Sequence, residues 1–387
     1  RIGETDMKSD SLSMRCAFSI IMLVHISNSI IIGYPGTGGP EIWISLLISA
    51  VIVTPLMVLY ARLVHLMPGK DLYEMMQFAF GKWGKCIFSI FYAFYFLTLS
   101  GMVRGTYAEF VHLTSLYQTS FIIICLAFFA VCVHLAMKGA GVLGRWCFIM
   151  LILAISSIAL LCLLSTDNFR LNNLRPLNQQ GFGGILYNAL CFVPLPLAES
   201  VVFLGVAEKL EKSVNPYKLF IFSSIASVLF FVALFLQNCS VLSWETLSAM
   251  YFPSYKAASV MYIGNIGTRI ESIMSIIFIM SGIYKVSIAL TAGTKAVQHI
   301  FSLKDHKPLL LTVGFFSVAL SATLFVDIIE MFDFMRYYLI YALPFQILIP
   351  FLLWIAAEVK MKKRHIKTCA YWKTEQENSC SAKTVRT

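Results

Sequence analysis

The sequence predicts an all-α integral membrane protein of ten transmembrane helices, built as two five-helix halves of inverted topology. Three observations carry this. Of 387 residues, 58% are hydrophobic and 13% charged, against about 25% charged in a soluble globular chain; mean hydropathy is +0.77. Ten runs are long and apolar enough to cross a bilayer, which takes about 20 residues each. Two of them, the first of each set of five, carry helix-breaking residues near their middles.

The spans are expected at 14–34, 42–66, 84–113, 119–137, 142–165, 182–205, 217–240, 270–301, 308–326 and 335–357. A tail of residues 1–13 precedes this membrane domain of 14–358, and a basic tail of 359–387 follows it. Arg1 stands where methionine is expected, so the sequence reads as beginning at a processed or truncated end, and no signal peptide is evident. Cytoplasmic loops concentrate Lys and Arg. Of the 30 such residues, Arg170, Arg175, Lys256, Arg269 and Arg336 fall in outer segments, and Arg104 and Lys285 lie inside spans. The rest collect on the side that holds both termini, which predicts a multi-pass protein with both ends cytoplasmic. The pI near 9.1 is thus a topology signal; nucleic acid is not an expected partner, and the lipid bilayer is.

Two connections are more than turns. After span 2, PGKDLYEMMQFAFGKW places Leu72, Met75, Met76, Ala79 and Phe80 at helical spacing, which predicts a short amphipathic helix on the inner surface. The outer segment Ser243–Thr268 is expected to hold one or two short helices broken at Pro253. A loop of that length either covers a binding cavity or caps the fold passively.

The broken spans carry the functional reading. Span 6 contains NALCFVPLPLAES, with Pro194 and Pro196 mid-run and Glu199 just beyond. Proline removes a backbone donor and clashes with the preceding turn, so the helix should open near Val193–Leu197. Span 1 contains HISNSIIIGYPGTGGP. Its Ser27, Asn28 and Ser29 compete with the backbone for hydrogen bonds, which predicts unwinding near Ser27–Ser29. Interrupted helices at matching positions of inverted halves point to a midplane transporter-type site, because irregular backbone at membrane depth is tolerated only where protein or a water-filled cavity satisfies it. Cys191, Val193, Pro194 and Leu195 sit at the span 6 break, and Tyr95 and Thr98 of span 3 lie near the same depth.

Ionisable groups inside spans are functional candidates. Glu199 reads as ligand-facing or proton-coupled, the alternative being a carboxylate locked to a neighbouring span, and Lys285, in IMSGIYKVSIAL, as a group with a structural or coupling role in the cavity. Arg104 and Glu109 stand toward the outer end of span 3, where each pairs elsewhere or both line a vestibule, as a gate or a structural pair. Pro344 in YALPFQILIP reads as a kink alone. GTGGP lacks the Lys-Ser/Thr of a phosphate loop, no hydrolase, kinase or metalloprotease motif occurs, and the ten cysteines and seven histidines show no metal spacing. No enzyme activity, cofactor or metal is expected.

The segment FPSYKAASVMYIGNIGTRIESIMSIIFIMSGIYKVSI (252–288), the stretch 41–85 with its PGK-x-L-x-E loop, and Arg104 with Glu109 at the end of span 3 resemble the B subunit of bacterial spore germinant receptors, a branch of the amino acid–polyamine–organocation permease superfamily. The resemblance covers nearly all of 14–358. It implies a LeuT-like fold and a receptor in the spore inner membrane that senses a small germinant, typically an amino acid, with an A-type and a lipoprotein C-type subunit. It also implies a ligand between the breaks of spans 1 and 6, with spans 3 and 8 as walls; that adds Gly33 and Ser281 to the candidate contacts. The sequence departs from the implied small-residue Gly-Thr motif in span 1, reading Asn28-Ser29, with a shorter turn after Pro35. Two other readings share these residues: an amino-acid permease driven by protons or exchange, and a membrane scaffold whose breaks only fit partner helices.

Overall fold

A computed structural model describes residues 10–32, 38–165, 169–175, 180–260, 262–263, 266–267, 270–324 and 328–363. Eight of its helices are long and apolar enough to cross a membrane, and two shorter apolar helices occupy the places of spans 1 and 4. In order these are span 1 (Met14–Ile32), span 2 (Ile42–Leu66), span 3 (Leu72–Thr114), span 4 (Phe121–Met137), span 5 (Ala140–Leu164), span 6 (Gly181–Phe192, then Leu197–Ser200 and Val201–Leu204), span 7 (Pro216–Leu242), span 8 (Ile270–Phe301), span 9 (Leu310–Leu324) and span 10 (Ile328–Leu343, continued through Pro344–Leu348). The side of the membrane at which Met14 begins is termed inner here, after the charge distribution.

The packing carries the inverted repeat. If spans 1–5 exchange with spans 6–10, a contact of span 2 with span 6 becomes one of span 7 with span 1, and a contact of span 3 with span 9 becomes one of span 8 with span 4. Both members of each pair occur. The spans 2–7 and 3–8 contacts, which the exchange leaves in place, are the two most extensive. Spans 3, 6 and 8 form the buried centre, while spans 5 and 9 turn most of their apolar surface outward.

The amphipathic segment after span 2 is helical, but its stripe packs on protein rather than lying on a membrane surface. Leu72, Tyr73, Met75, Met76 and Ala79 are buried, and the helix runs into span 3 through a kink at Gly81 (φ 78°), a left-handed conformation that glycine adopts without strain. A capping box starts it: the Asp71 carboxylate accepts from the Tyr73 and Glu74 N–H groups at 3.1 and 2.9 Å, and the Glu74 carboxylate accepts from the Asp71 N–H at 3.2 Å. His299 Nε2 of span 8 stands 3.2 Å from the same carboxylate, and Tyr73 donates to the Ala292 carbonyl at 2.6 Å. The outer loop holds two short helices, Trp244–Ser248 and Pro253–Ser259, with Pro253 opening the second, then a two-stranded hairpin pairing Tyr262–Ile263 with Ile266–Gly267.

The inner face is closed by ties between distant segments. Lys295 of span 8 pairs with Glu208 and donates to the Gly205 carbonyl at 3.1 Å. The chain before span 1 pairs with the chain after span 6 through Leu12 and Leu210, flanked by the 2.7 Å Asp10–Lys209 ion pair. Burial pushes the Asp71 carboxyl up, yet His299, Lys295 and the Glu74 N–H more than offset this and hold it below its ordinary 3.8. A lowered carboxyl contributes stability that is full above its unfolded value and is lost as pH falls through the folded one. Asp71→Ala removes the cap and the His299 contact and is expected to cost about 1–2 kcal/mol. The difference in unfolding temperature between parent and variant should be constant at neutral pH and shrink in acid below about pH 4; a difference that grows in acid would reverse the assignment.

Candidate functional site

The interruption of span 6 falls where the prolines place it. The α-helix ends at Phe192, and residues 193–196 form a turn that contains the cis Leu195–Pro196 bond. The Ala198 N–H then reaches back to the Val193 carbonyl at 2.7 Å, and a 3-10 turn, Leu197–Ser200, restarts the chain. Pro194 and Pro196 have no N–H to give, so carbonyls at membrane depth need partners from outside the helix. Gln346 of span 10 supplies one, its Nε2 donating to the Pro194 carbonyl at 2.9 Å. Tyr60 of span 2 donates to the Gln346 carbonyl at 2.5 Å and lies 3.3 Å from that of Ala198.

Glu199, just past the turn, is wholly buried and forms an ion pair with the equally buried Lys285 of span 8. Its second carboxylate oxygen accepts from Tyr338 of span 10 at 3.1 Å. Since the Tyr338 proton is committed to Glu199, the Tyr95 hydroxyl of span 3, 3.4 Å away, is the donor to Tyr338, and Gln346 Nε2 donates to Tyr95 at 2.8 Å. One directed chain therefore runs from Gln346 through Tyr95 and Tyr338 to the Glu199–Lys285 pair, joining spans 3, 6, 8 and 10. Each bond polarises the next in a low dielectric. Tyr95 stacks on Phe345, centroids 4.8 Å apart. The π-helical turn Pro344–Leu348 carries Gln346 at this depth; such single π turns recur at functional sites.

Span 1 behaves differently from its expectation. Its helix continues through Ser27–Ser29 to Ile32, so the chain does not unwind at the serines. The Ser27 hydroxyl turns back toward the Val24 carbonyl, 3.5 Å away, and Tyr107 of span 3 donates to the Ser27 carbonyl at 2.6 Å. The hydroxyl and carbonyl of Ser27 thus both have partners with the helix intact. The side chains of Asn28 and Ser29, and Gly33 with the glycine-proline segment 33–37, lie outside the described residues. Ser281 of span 8 stands 3.2 Å from the Tyr107 hydroxyl, which makes Ser27, Tyr107 and Ser281 a second polar contact of spans 1, 3 and 8. Gly282 lies directly under the Tyr107 ring, where a Cβ would come within 2.4 Å of it. Gly282→Val is expected to push Tyr107 off Ser27 and to destabilise the fold by about 1–3 kcal/mol, read as a fall in unfolding temperature that Tyr107→Ala in the same chain partly restores.

The other expected contacts divide. Val193 and Pro194 shape the turn, while Leu195 packs with Met102, Met331, Tyr338 and Ala342 above the chain of hydroxyls. Thr98 is buried beside Tyr341. Cys191 is half-buried next to the exposed Tyr187 and takes no part in the chain. Arg104 and Glu109 are not paired with each other: they line one cavity near the outer end of span 3. Sequence reasoning passed over Tyr338, Gln346 and Tyr107. Gln346 had a usable signal, a polar residue two positions after the mid-span Pro344, much as Glu199 stands three positions after Pro196 in span 6.

The chain is similar to spore germination protein KB of Bacillus subtilis (strain 168), 23% identical over 363 residues that cover 92% of this chain and 97% of that protein. It is also similar to spore germination protein YndE of the same organism, 23% identical over 69% of this chain and 74% of that one. Among solved structures it resembles MHP1, a nucleobase-cation-symport-1 family transporter in a closed conformation with bromovinylhydantoin bound. The TM-score is 0.67 at 12% identity, over 87% of this chain and 76% of that one. A manganese transporter of Eremococcus coleocola aligns with a TM-score of 0.59 at 13% identity, over 87% and 78%. These likenesses establish the LeuT-like transporter fold, and the matched contacts of the two halves agree with it. The model of the spore germination protein family matches residues 11–330, and with the inverted ten-helix fold and a broken span 6 beneath it, the chain belongs to that family of multi-pass membrane proteins.

Proposed function

We propose that the protein is a germinant receptor subunit that holds a small zwitterionic solute, an amino acid or a close analogue, at the membrane midplane beside the break of span 6. The observation that carries this is the Glu199–Lys285 pair, buried at the point where the span 6 backbone is open. A carboxylate and an ammonium that pair with each other can each take the opposite charge of a zwitterion, so ligand binding would exchange one ion pair for two. Tyr338, Tyr95 and Gln346 transmit that exchange to spans 3 and 10. Ser27 and Ser281 stand on the span 1 and span 8 sides, and Arg104 and Glu109 lie on the outer approach, where they gate. On this reading the protein sits in the spore inner membrane with both termini cytoplasmic, and signals through an A-type and a lipoprotein C-type subunit.

Calorimetric titration of the purified chain with a panel of amino acids tests the site. Saturable binding that Glu199→Gln abolishes is the expected result; binding that survives Glu199→Gln unchanged would remove the midplane from consideration. The family's transporter fold favours a second reading, a permease. Saturable uptake of the same amino acid by the isolated chain in liposomes would select it over a sensor.

A further inference from the structure

The outer cavity has a chemistry of its own. It is a partly open cleft of about 380 Å³ between the outer halves of spans 3, 4, 9 and 10, within the range of about 300–1,000 Å³ typical of small-molecule sites. Its walls are mostly apolar, from Phe121, Ile122 and Leu126 of span 4 to Val318 and Ile329 across from them. Set into that wall is Arg104, only 4% exposed. Its guanidinium donates to Ser321 of span 9, but Nε has no partner, and no carboxylate of a described residue pairs with it. An arginine at membrane depth is costly and is normally paired or functional. A guanidinium offers five donors in a planar fork matched to a carboxylate; here it meets the Ser321 hydroxyl and the Cys125 thiol, and Nε is left over. Glu109, further out on the same helix, lines the same cavity.

The contrast with the midplane is informative. There the acid and the base satisfy each other; here a base and an acid face one apolar space and are not bonded to each other. A single layer separates the two levels. Met102 and Met331 line the outer cavity and also pack with Leu195 and Tyr338 over Glu199.

We propose that this outer cavity is a second solute site, for a zwitterion with an apolar body: its carboxylate on Arg104, its ammonium toward Glu109 and its apolar part along span 4. A purely anionic amphiphile would answer Arg104 but leave Glu109 facing a like charge. The site stands on geometry separate from that of the midplane, and its test distinguishes the two.

The full-length chain in lipid nanodiscs is titrated calorimetrically with L-phenylalanine, 3-phenylpropionate and phenethylamine. L-Phenylalanine should bind most tightly. Arg104→Gln should weaken L-phenylalanine and 3-phenylpropionate by about tenfold or more, the loss of a charged hydrogen bond, and leave phenethylamine unchanged. Glu109→Gln should weaken L-phenylalanine and phenethylamine and leave 3-phenylpropionate no weaker. Gly105→Leu guards against misfolding, because Gly105 lines the cavity and a Cβ there meets nothing within 4 Å. It should fill the site and abolish L-phenylalanine binding while keeping the parent's unfolding temperature. Unchanged L-phenylalanine affinity in both Arg104→Gln and Gly105→Leu would overturn the proposal, as would tighter binding of 3-phenylpropionate than of L-phenylalanine by the parent. The double variant Glu199→Gln with Lys285→Met separates the levels. Binding lost there and kept in Gly105→Leu puts the solute at the midplane and overturns the outer site; binding kept there and lost in Gly105→Leu upholds the outer site whether or not the midplane holds a solute.

Discussion

Glu199→Gln should destabilise the protein by about 3–5 kcal/mol, because removing one member of a buried pair strands the other charge. Lys285 is 1% exposed and has no alternative carboxylate among the described residues, so its ammonium would have to lose its proton or draw water into the centre. The double variant Glu199→Gln with Lys285→Met removes both charges and keeps an acceptor for Tyr338. It should recover most of the lost stability, since replacing a whole buried pair is often neutral or stabilising, while midplane solute binding stays absent. Unfolding temperatures of the parent, the single and the double variants in one detergent measure the first effect, and titration with the amino acid that the parent binds measures the second. Midplane binding retained by the double variant would show that the charges serve the fold alone.

Gln346→Leu is expected to have the next largest effect. Its side-chain amide is the donor to both the Pro194 carbonyl and the Tyr95 hydroxyl. Leucine is similar in size but gives neither bond, and each buried acceptor left unsatisfied costs about 1–3 kcal/mol. The turn of span 6 would then be tied less firmly to span 10, and the hydroxyl chain would begin at Tyr95 with no donor behind it. Solute affinity should fall with stability. Tyr95→Phe cuts the same chain one link on, so the two substitutions together should cost less than the sum of their separate effects. Strict additivity in that cycle would mean that the chain does not act as a unit.

The likeness to transporters and the proposed receptor role share one physical basis. A broken helix at the midplane frees backbone groups, which Gln346 and Tyr60 answer here; on the proposed reading a solute acts at that same junction, whether it crosses or only shifts the balance of states. The inner ties of Lys295 to Glu208 and of Leu12 to Leu210 hold the ends of spans 1, 6 and 8 together. On the proposed reading, a solute that shifts the pair at Glu199 would act on the same two helices, spans 6 and 8, that those ties clamp, and so link the midplane to the inner face.

The sequence by itself determined the membrane class, the ten apolar segments, the pairing of two five-span halves and the opening of span 6 at Pro194 and Pro196. These are local matters: a run of apolar side chains and a missing N–H act wherever the segment is placed. It misread span 1, where the hydrogen-bonding capacity of Ser27–Ser29 looked able to break a helix. A serine hydroxyl can instead turn back within its own helix, and Tyr107, eighty positions away, answers the Ser27 carbonyl. Tertiary structure alone decided that Glu199 meets Lys285, that Gln346 rather than Thr98 or Cys191 serves the turn, and that Arg104 and Glu109 share a cavity without sharing a bond. Partnerships of this kind depend on which faces of separate helices come together, and helix-to-helix register is set by the packing of the whole bundle.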